Sequence, residues 1–185
     1  MTADSDGKRP PFGDLIGPGL RVLIVAINPS SRSAGIGYSF SSPSNPFWRL
    51  LHESGLTPVQ LEPCEEHRLL DHGIGLVATV LRATPAAAEL TLVERRIGAA
   101  RVRGLVEHHE PQVVALLGLT LYPVFFPSAG SPGPGLKPDR IHDAEVYVLP
   151  NPSGRNRAYP GFGPKLVWYR DLADHLTSGG VTDRS

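Results

Sequence analysis

Arg21-Val-Leu-Ile-Val-Ala-Ile-Asn-Pro-Ser30 is the stretch that decides the fold of this chain. An unbroken run of Val, Leu and Ile of this length reads as a strand buried on both faces, the kind found in parallel sheets covered by helices. The Asn-Pro-Ser that follows lies at the strand's carboxyl end, where ligands gather in open α/β sheets. The same signature returns far along the chain, where Val146-Tyr-Val-Leu149 and Pro150 lead into Asn151-Pro152-Ser153. Two polar loops from distant parts of the sequence are therefore expected to meet over one site. The proline after each asparagine removes a backbone donor and restricts that asparagine to extended geometry, which aims its carboxamide.

The 185 residues suit one α/β domain that buries a substantial core without disulfides or metal. We expect that domain over residues 15–178, with mobile polar ends at 1–14 and 179–185. Lys+Arg 18 balances Asp+Glu 18, so net charge does not announce a nucleic-acid binder. The lysines are only Lys8, Lys137 and Lys165, and arginine, which suits planar contacts with phosphates and bases, supplies the rest of the positive charge. Cys64 is the only cysteine, which excludes an intramolecular disulfide and cysteine-rich zinc or iron–sulfur sites. The polar N-terminus reads as neither signal peptide nor membrane anchor, and no apolar run has transmembrane length, so a soluble intracellular protein without membrane contact is expected.

Around the first strand (21–27) the pattern alternates. A long loop runs to Pro43, and Ser44-Asn45-Pro46-Phe47-Trp48 opens a helix with Asn45 as N-cap and Pro46 in its first turn. A second strand near 75–80 precedes a helix at about 89–109, with Leu92, Ile97, Val102, Leu105 and Val106 near one face. A third strand covers 113–117 and a fourth 145–149. The Pro/Gly-rich segment 127–138 between them reads as a long ordered loop or a mobile flap. A last helix spans about 163–177. The expectation is a short, mainly parallel four-stranded central sheet with helices on both faces.

Familiar catalytic signatures are missing. Gly35-Ile-Gly37 lacks the third glycine of a dinucleotide fingerprint, and no P-loop sequence occurs. The histidines form no His-x-x-x-His pair, and Ser153-Gly154 is not a nucleophile elbow.

The stretch Ala26-Ile-Asn-Pro-Ser-Ser-Arg-Ser-Ala-Gly-Ile-Gly-Tyr-Ser-Phe40, continuing to Asn45-Pro-Phe-Trp48, resembles the first active-site motif of the mismatch-specific uracil-DNA glycosylase/thymine-DNA glycosylase family. Leu149-Pro-Asn-Pro-Ser-Gly-Arg-Asn-Arg157 resembles its second motif. The resemblance spans about residues 20–177 and implies the three-layer α/β fold of the uracil-DNA-glycosylase superfamily. It also implies a DNA repair enzyme that hydrolyses the N-glycosidic bond of uracil, or of other damaged or mismatched pyrimidines, after flipping the nucleotide out of the duplex. By the same resemblance Asn28 is the catalytic residue, a neutral carboxamide whose oxygen orients water toward the anomeric carbon. Ile27, Ser30, Ser33 and Phe40 form the base pocket, with Phe40 stacking on the flipped base. Asn151, Ser153 and Gly154 meet DNA phosphates, Arg155 stands at the wedge position, and Arg157 pairs with phosphate. Neither metal nor organic cofactor is implied. The partner is double-stranded DNA bearing uracil or mismatches, bound by a monomer.

Ala26 and Ser30 replace glycines common in that motif, and Ser30 adds a side chain where the pocket backbone approaches the base. Arg82 and Thr84 match the family, whereas Ala78 and Leu81 stand where relatives often carry polar or acidic groups, so no second catalytic group is expected from that strand. The rival readings are a DNA-binding module that recognises lesions without useful turnover and an enzyme of free nucleosides, which has no use for a wedge.

Overall fold

The computed structural model describes residues 13–130, 133–154 and 156–179. Most of the two ends expected to be mobile, and Arg155, lie outside the described residues. Five strands, β1 (Val22–Ala26), β2 (Ile74–Ala78), β3 (Val113–Leu117), β4 (Gly135–Ile141) and β5 (Ala144–Leu149), form one sheet in the order β2-β1-β3-β5-β4. The first four in that order are parallel, and β4 is antiparallel to β5.

Strand periodicity divides the core in two. Val22, Ile24, Val113, Ala115, Leu117, Tyr147 and Leu149 face one side. There they pack on α2 (Phe47–Glu53) and α5 (Gly163–Ser178), through Phe47, Leu50, Leu51, Leu166, Tyr169 and Leu172. Leu23, Val25, Val114, Leu116, Val146 and Val148 face the other side, against α3 (Leu92–His109) and α4 (Tyr122–Phe125). Helices cover both faces, which is why these strands carry no polar alternation. The three-layer α/β class expected from the sequence is the one observed.

Three local expectations are corrected. The sheet has five strands, not four, because the end of the presumed loop or flap, residues 135–138, opens β4, which runs on to Ile141 and turns through His142, at φ 51, into β5. Its burial alternates and its register shifts between Lys137 and Arg140, so Pro138 is accommodated at an edge where a missing N–H breaks no ladder. The loop expected after β1 contains α1 (Ser31–Ile36), capped at its start by the Ser30 hydroxyl and ended by Gly37 at φ 87. Finally, α3 is phased differently from its apolar pattern. Leu92 and Ile97 are 55% and 66% exposed, and the helix packs through Gly98, Ala99, Val102 and Val106.

That phasing brings α3 close to the end of β2. A Cβ at Gly98 would lie 2.1 Å from the Thr79 carbonyl oxygen, a contact only glycine permits. Beyond β2, Thr79 donates to the Ala26 carbonyl through its N–H (2.8 Å) and its hydroxyl (2.9 Å), and Val80 N–H donates to Ile27 O (2.9 Å). The parallel pairing of β1 and β2 thus extends past the sheet, carrying residues 79–84 alongside 26–31. No helix among the described residues is long and apolar enough to cross a membrane.

Candidate active site

At the carboxyl ends of the parallel strands lies an open cleft of about 1060 Å³, lined from one side by residues 26–33 and from the other by Asn151, Ser153 and Gly154. The two Asn-Pro-Ser loops face the same space, as their positions at strand ends predict.

Asn28 is held by three acceptors. Its Nδ2 donates to Pro29 O (3.1 Å), Arg82 O (3.0 Å) and Thr84 Oγ1 (2.8 Å). Two of these are backbone carbonyls, which only accept, so the nitrogen must face them and the carboxamide cannot be reversed. Thr84, 2% exposed, donates its own hydroxyl proton to Ala86 O (2.9 Å), which leaves a lone pair for Asn28. Thr84 N–H also donates to Pro29 O (3.2 Å), and Ser31 N–H to Thr84 O (3.2 Å). Oδ1 of Asn28 receives no hydrogen bond from any described residue, although the side chain is half-buried in the cleft wall. The result is a fixed neutral acceptor at the head of β1.

Ser30 and Ser33 form the floor beside it. Ser30 Oγ accepts from Ser33 N–H (3.1 Å) and donates to Ser33 Oγ (3.1 Å), and Ser41 Oγ donates to Ser33 Oγ (3.4 Å). Ser30, expected to add a side chain at the base, therefore also caps α1. Ile27 lines the same wall and packs against the core on the α3 side.

Phe40 is at φ 51, a conformation that strains a phenylalanine by about 1–3 kcal/mol and persists only where the surroundings impose it. They do so here. Its ring stacks on the buried Phe47 at 3.9 Å between centroids and 23° between planes, while Trp48 meets Phe47 edge-on at 5.2 Å. The preceding residue is fixed as well: Ser39 N–H donates to Glu66 Oε2 (2.9 Å), and Trp48 Nε1–H donates to Ser39 O (3.3 Å). One face of Phe40 is thereby covered, and the ring is presented in the cleft lining.

The second loop is knitted internally. Asn151 Oδ1 accepts from Ser153 N–H (2.9 Å), and Asn156 Nδ2 donates to Asn151 O (3.1 Å). Gly118, at φ 119, turns β3 away directly beneath Asn151. From below, Tyr169 Oη donates to Pro150 O (3.4 Å) and Lys165 Nζ to Ser153 O (3.2 Å). Lys165 is only 2% exposed, and burial lowers its pKa below the ordinary lysine value. Gly154 is at the rim. Arg157 is exposed and does not line the cleft.

Sequence reasoning passed over Lys165, because it sought lysines only as nucleophiles in the first motif. The available signal was its place in the first turn of the helix that follows the second loop. It also passed over Asn156, although that residue stands within the quoted motif. Asp71 and Glu89, the acids closest in sequence to β2, do not line the cleft, and no carboxylate does among the described residues. Nor do the described residues gather three or more His, Cys, Asp or Glu side chains fit to hold a metal ion.

A cleft with an amide acceptor, hydroxyl groups and an aromatic face suits a planar polar ring better than an anionic or metal-bound group. This α/β frame and its strand-end cleft agree with a comparison at the level of families. The model for the uracil DNA glycosylase superfamily matches residues 14–173, and the chain belongs to that superfamily. Its members are DNA repair glycosylases, hydrolases that act on uracil-like lesions in DNA.

Proposed function

We propose that this chain is a monofunctional glycosylase of the mismatch-specific uracil/thymine type, acting as a monomer on uracil in double-stranded and mismatched DNA. The observation that carries this reading is the orientation of Asn28: its Nδ2 is consumed by Arg82, Thr84 and its own loop, and Oδ1 is left to accept from water. Extruding the nucleotide costs a few kcal/mol, less at a mismatch. Stacking on Phe40 returns about 1–3 kcal/mol, by analogy with single-strand binding proteins.

In the chemical step the C1′–N1 bond breaks and its electron pair leaves with the base, giving an oxocarbenium-like sugar and a pyrimidine anion. Water held by Asn28 Oδ1 adds through oxygen to C1′, and its surplus proton passes to solvent. The base anion takes its proton from solvent, because no carboxylic acid lines the cleft to supply one. Such chemistry favours bases that leave well and makes the enzyme slow. Lys165 is not a nucleophile in this scheme, since its ammonium is buried behind the second loop.

Single-turnover cleavage of labelled duplexes carrying G·U, A·U or G·T, and of single-stranded U, read after alkali, tests this function. Cleavage at uracil that Asn28→Ala abolishes, with DNA binding kept, is the expected outcome. Tight binding without cleavage at enzyme excess marks a lesion-recognition protein instead, and a borohydride-trapped adduct overturns the monofunctional assignment.

A further inference from the structure

We infer that Arg32 grips a backbone phosphate of the bound DNA at the mouth of the cleft, an assignment that rests on the glycosylase reading above. Among the described residues, Arg32 is the only side chain lining the cleft that carries a formal charge. It is exposed and makes no hydrogen bond or ion pair with any described residue. Arg49, Arg82 and Arg101 pair with Glu53 at 2.6 Å, Glu94 at 2.8 Å and Asp14 at 2.5 Å, and Arg21 and Arg103 donate to backbone carbonyls. Arg96 and Arg157 are exposed without a partner among the described residues, as Arg32 is, but they do not line the cleft. What sets Arg32 apart is its place: an unpartnered cation in the cleft lining, where a polyanion must enter.

The local structure fixes where that cation stands. Ser30 caps α1, and Ser33 is buried in the serine network, so its neighbour Arg32 is left at the exposed rim of the same turn. The base pocket proper is built of hydroxyls, the Asn28 amide and the Phe40 ring. A rim guanidinium meets the phosphates flanking an extruded nucleotide before it meets the base. Guanidinium also matches phosphate geometry in a bidentate fork without first having to break an internal ion pair.

The test compares wild type, Arg32→Gln and Arg32→Lys. Dissociation constants are measured from 50 to 200 mM salt on a duplex whose single deoxyuridine carries a 2′-fluoro group that blocks cleavage. Loss of one phosphate contact lowers the salt slope by about 0.9, so the Kd ratio of Arg32→Gln to wild type shrinks about 3.5-fold over that range. Arg32→Lys restores the slope. In single-turnover assays the loss falls on half-saturation rather than on the rate at saturating enzyme, and unchanged melting of both variants shows that the fold is not involved. Equal slopes for all three proteins overturn the assignment. A lower saturating rate, larger for uracil than for 5-fluorouracil, overturns it in favour of contact with the departing base. If wild type cleaves no uracil duplex, the glycosylase reading fails by itself while the salt slopes still decide Arg32.

Discussion

Gly98→Ala sets helix propensity against packing in one methyl group. In an unencumbered helix interior the change stabilises by about 1 kcal/mol. At position 98 the new Cβ would sit 2.1 Å from Thr79 O, 2.8 Å from Thr79 C and 2.9 Å from Thr79 Cγ2. Carbon and carbonyl oxygen approach ordinarily to about 3.3–3.6 Å, so α3 and the exit of β2 must separate by roughly 1 Å. Overpacking of this kind costs about 1–3 kcal/mol, and against rigid backbone the upper part of that range applies. The net expectation is a loss of about 1–2 kcal/mol, or roughly 2–8 °C in Tm for a domain of this size. Gly104 supplies the control: it is in the same helix, exposed, with nothing within 4 Å of a Cβ, and Gly104→Ala should stabilise. The displacement also reaches the site, because Thr79 begins the segment whose Arg82 O and Thr84 Oγ1 hold Asn28. Urea titrations give the stability and single-turnover cleavage gives the rate, which should fall at position 98 and not at 104. A midpoint for Gly98→Ala at or above that of wild type would refute the close-approach argument.

Thr84→Val deletes an acceptor from the Asn28 amide and should slow single-turnover cleavage about tenfold, the worth of one hydrogen bond, with little change in DNA affinity; an unchanged rate means the two carbonyls suffice. Lys165→Met keeps the buried stem and removes the ammonium under Ser153. With no acid among the described residues paired to that charge, stability should hold or rise while DNA affinity falls several-fold, and a loss beyond about 1 kcal/mol in urea contradicts this. Glu94 is drawn down to about 2, first by its hydrogen bond from Arg82 and then by those from Thr91. A depressed carboxyl contributes stability above its unfolded pKa, near 4.5, that is lost as pH falls through about 2. Glu94→Gln should therefore flatten the acid limb of stability between those values, modestly because the ion pair with Arg82 lies at the solvent-screened surface, and an identical limb in the variant rejects the linkage.

The parts of the fold legible in the sequence were those written in strong hydrophobic contrast. β1 and β3 are apolar on both faces, as strands buried between two helical layers are. β4 was illegible because an edge strand needs only one covered face: Lys137, Pro138, Asp139 and Arg140 look like loop, and their pairing depends on β5 lying beside them. The face of α3 was misread for a related reason. Periodicity scores Leu92 and Ile97, but the tightest approach to the sheet selects glycine and alanine, which carry almost no hydrophobic signal. At the site, the residue types and the two loops were visible, whereas the direction of the Asn28 amide was not. It depends on the carbonyls of Pro29 and Arg82, which any sequence would supply, and only chain placement makes them partners.

A cleft lined by no carboxylate among the described residues divides binding from chemistry in a particular way. A carboxylate beside the anomeric carbon activates water more strongly than an amide does, yet it also repels the phosphates on either side of a flipped nucleotide and must be desolvated as they close over it. In the proposed mechanism Asn28 carries neither cost, and a duplex approaches a site whose single lining charge among the described residues is positive. The compensation has to come from geometry: an amide is useful only if it points one way, and three acceptors hold Asn28 in that direction, while Phe47 holds the strained Phe40 ring in the same cleft lining. Under that proposal a weak catalytic group and rigid placement belong together, because positioning is the one source of rate that a neutral amide can draw on.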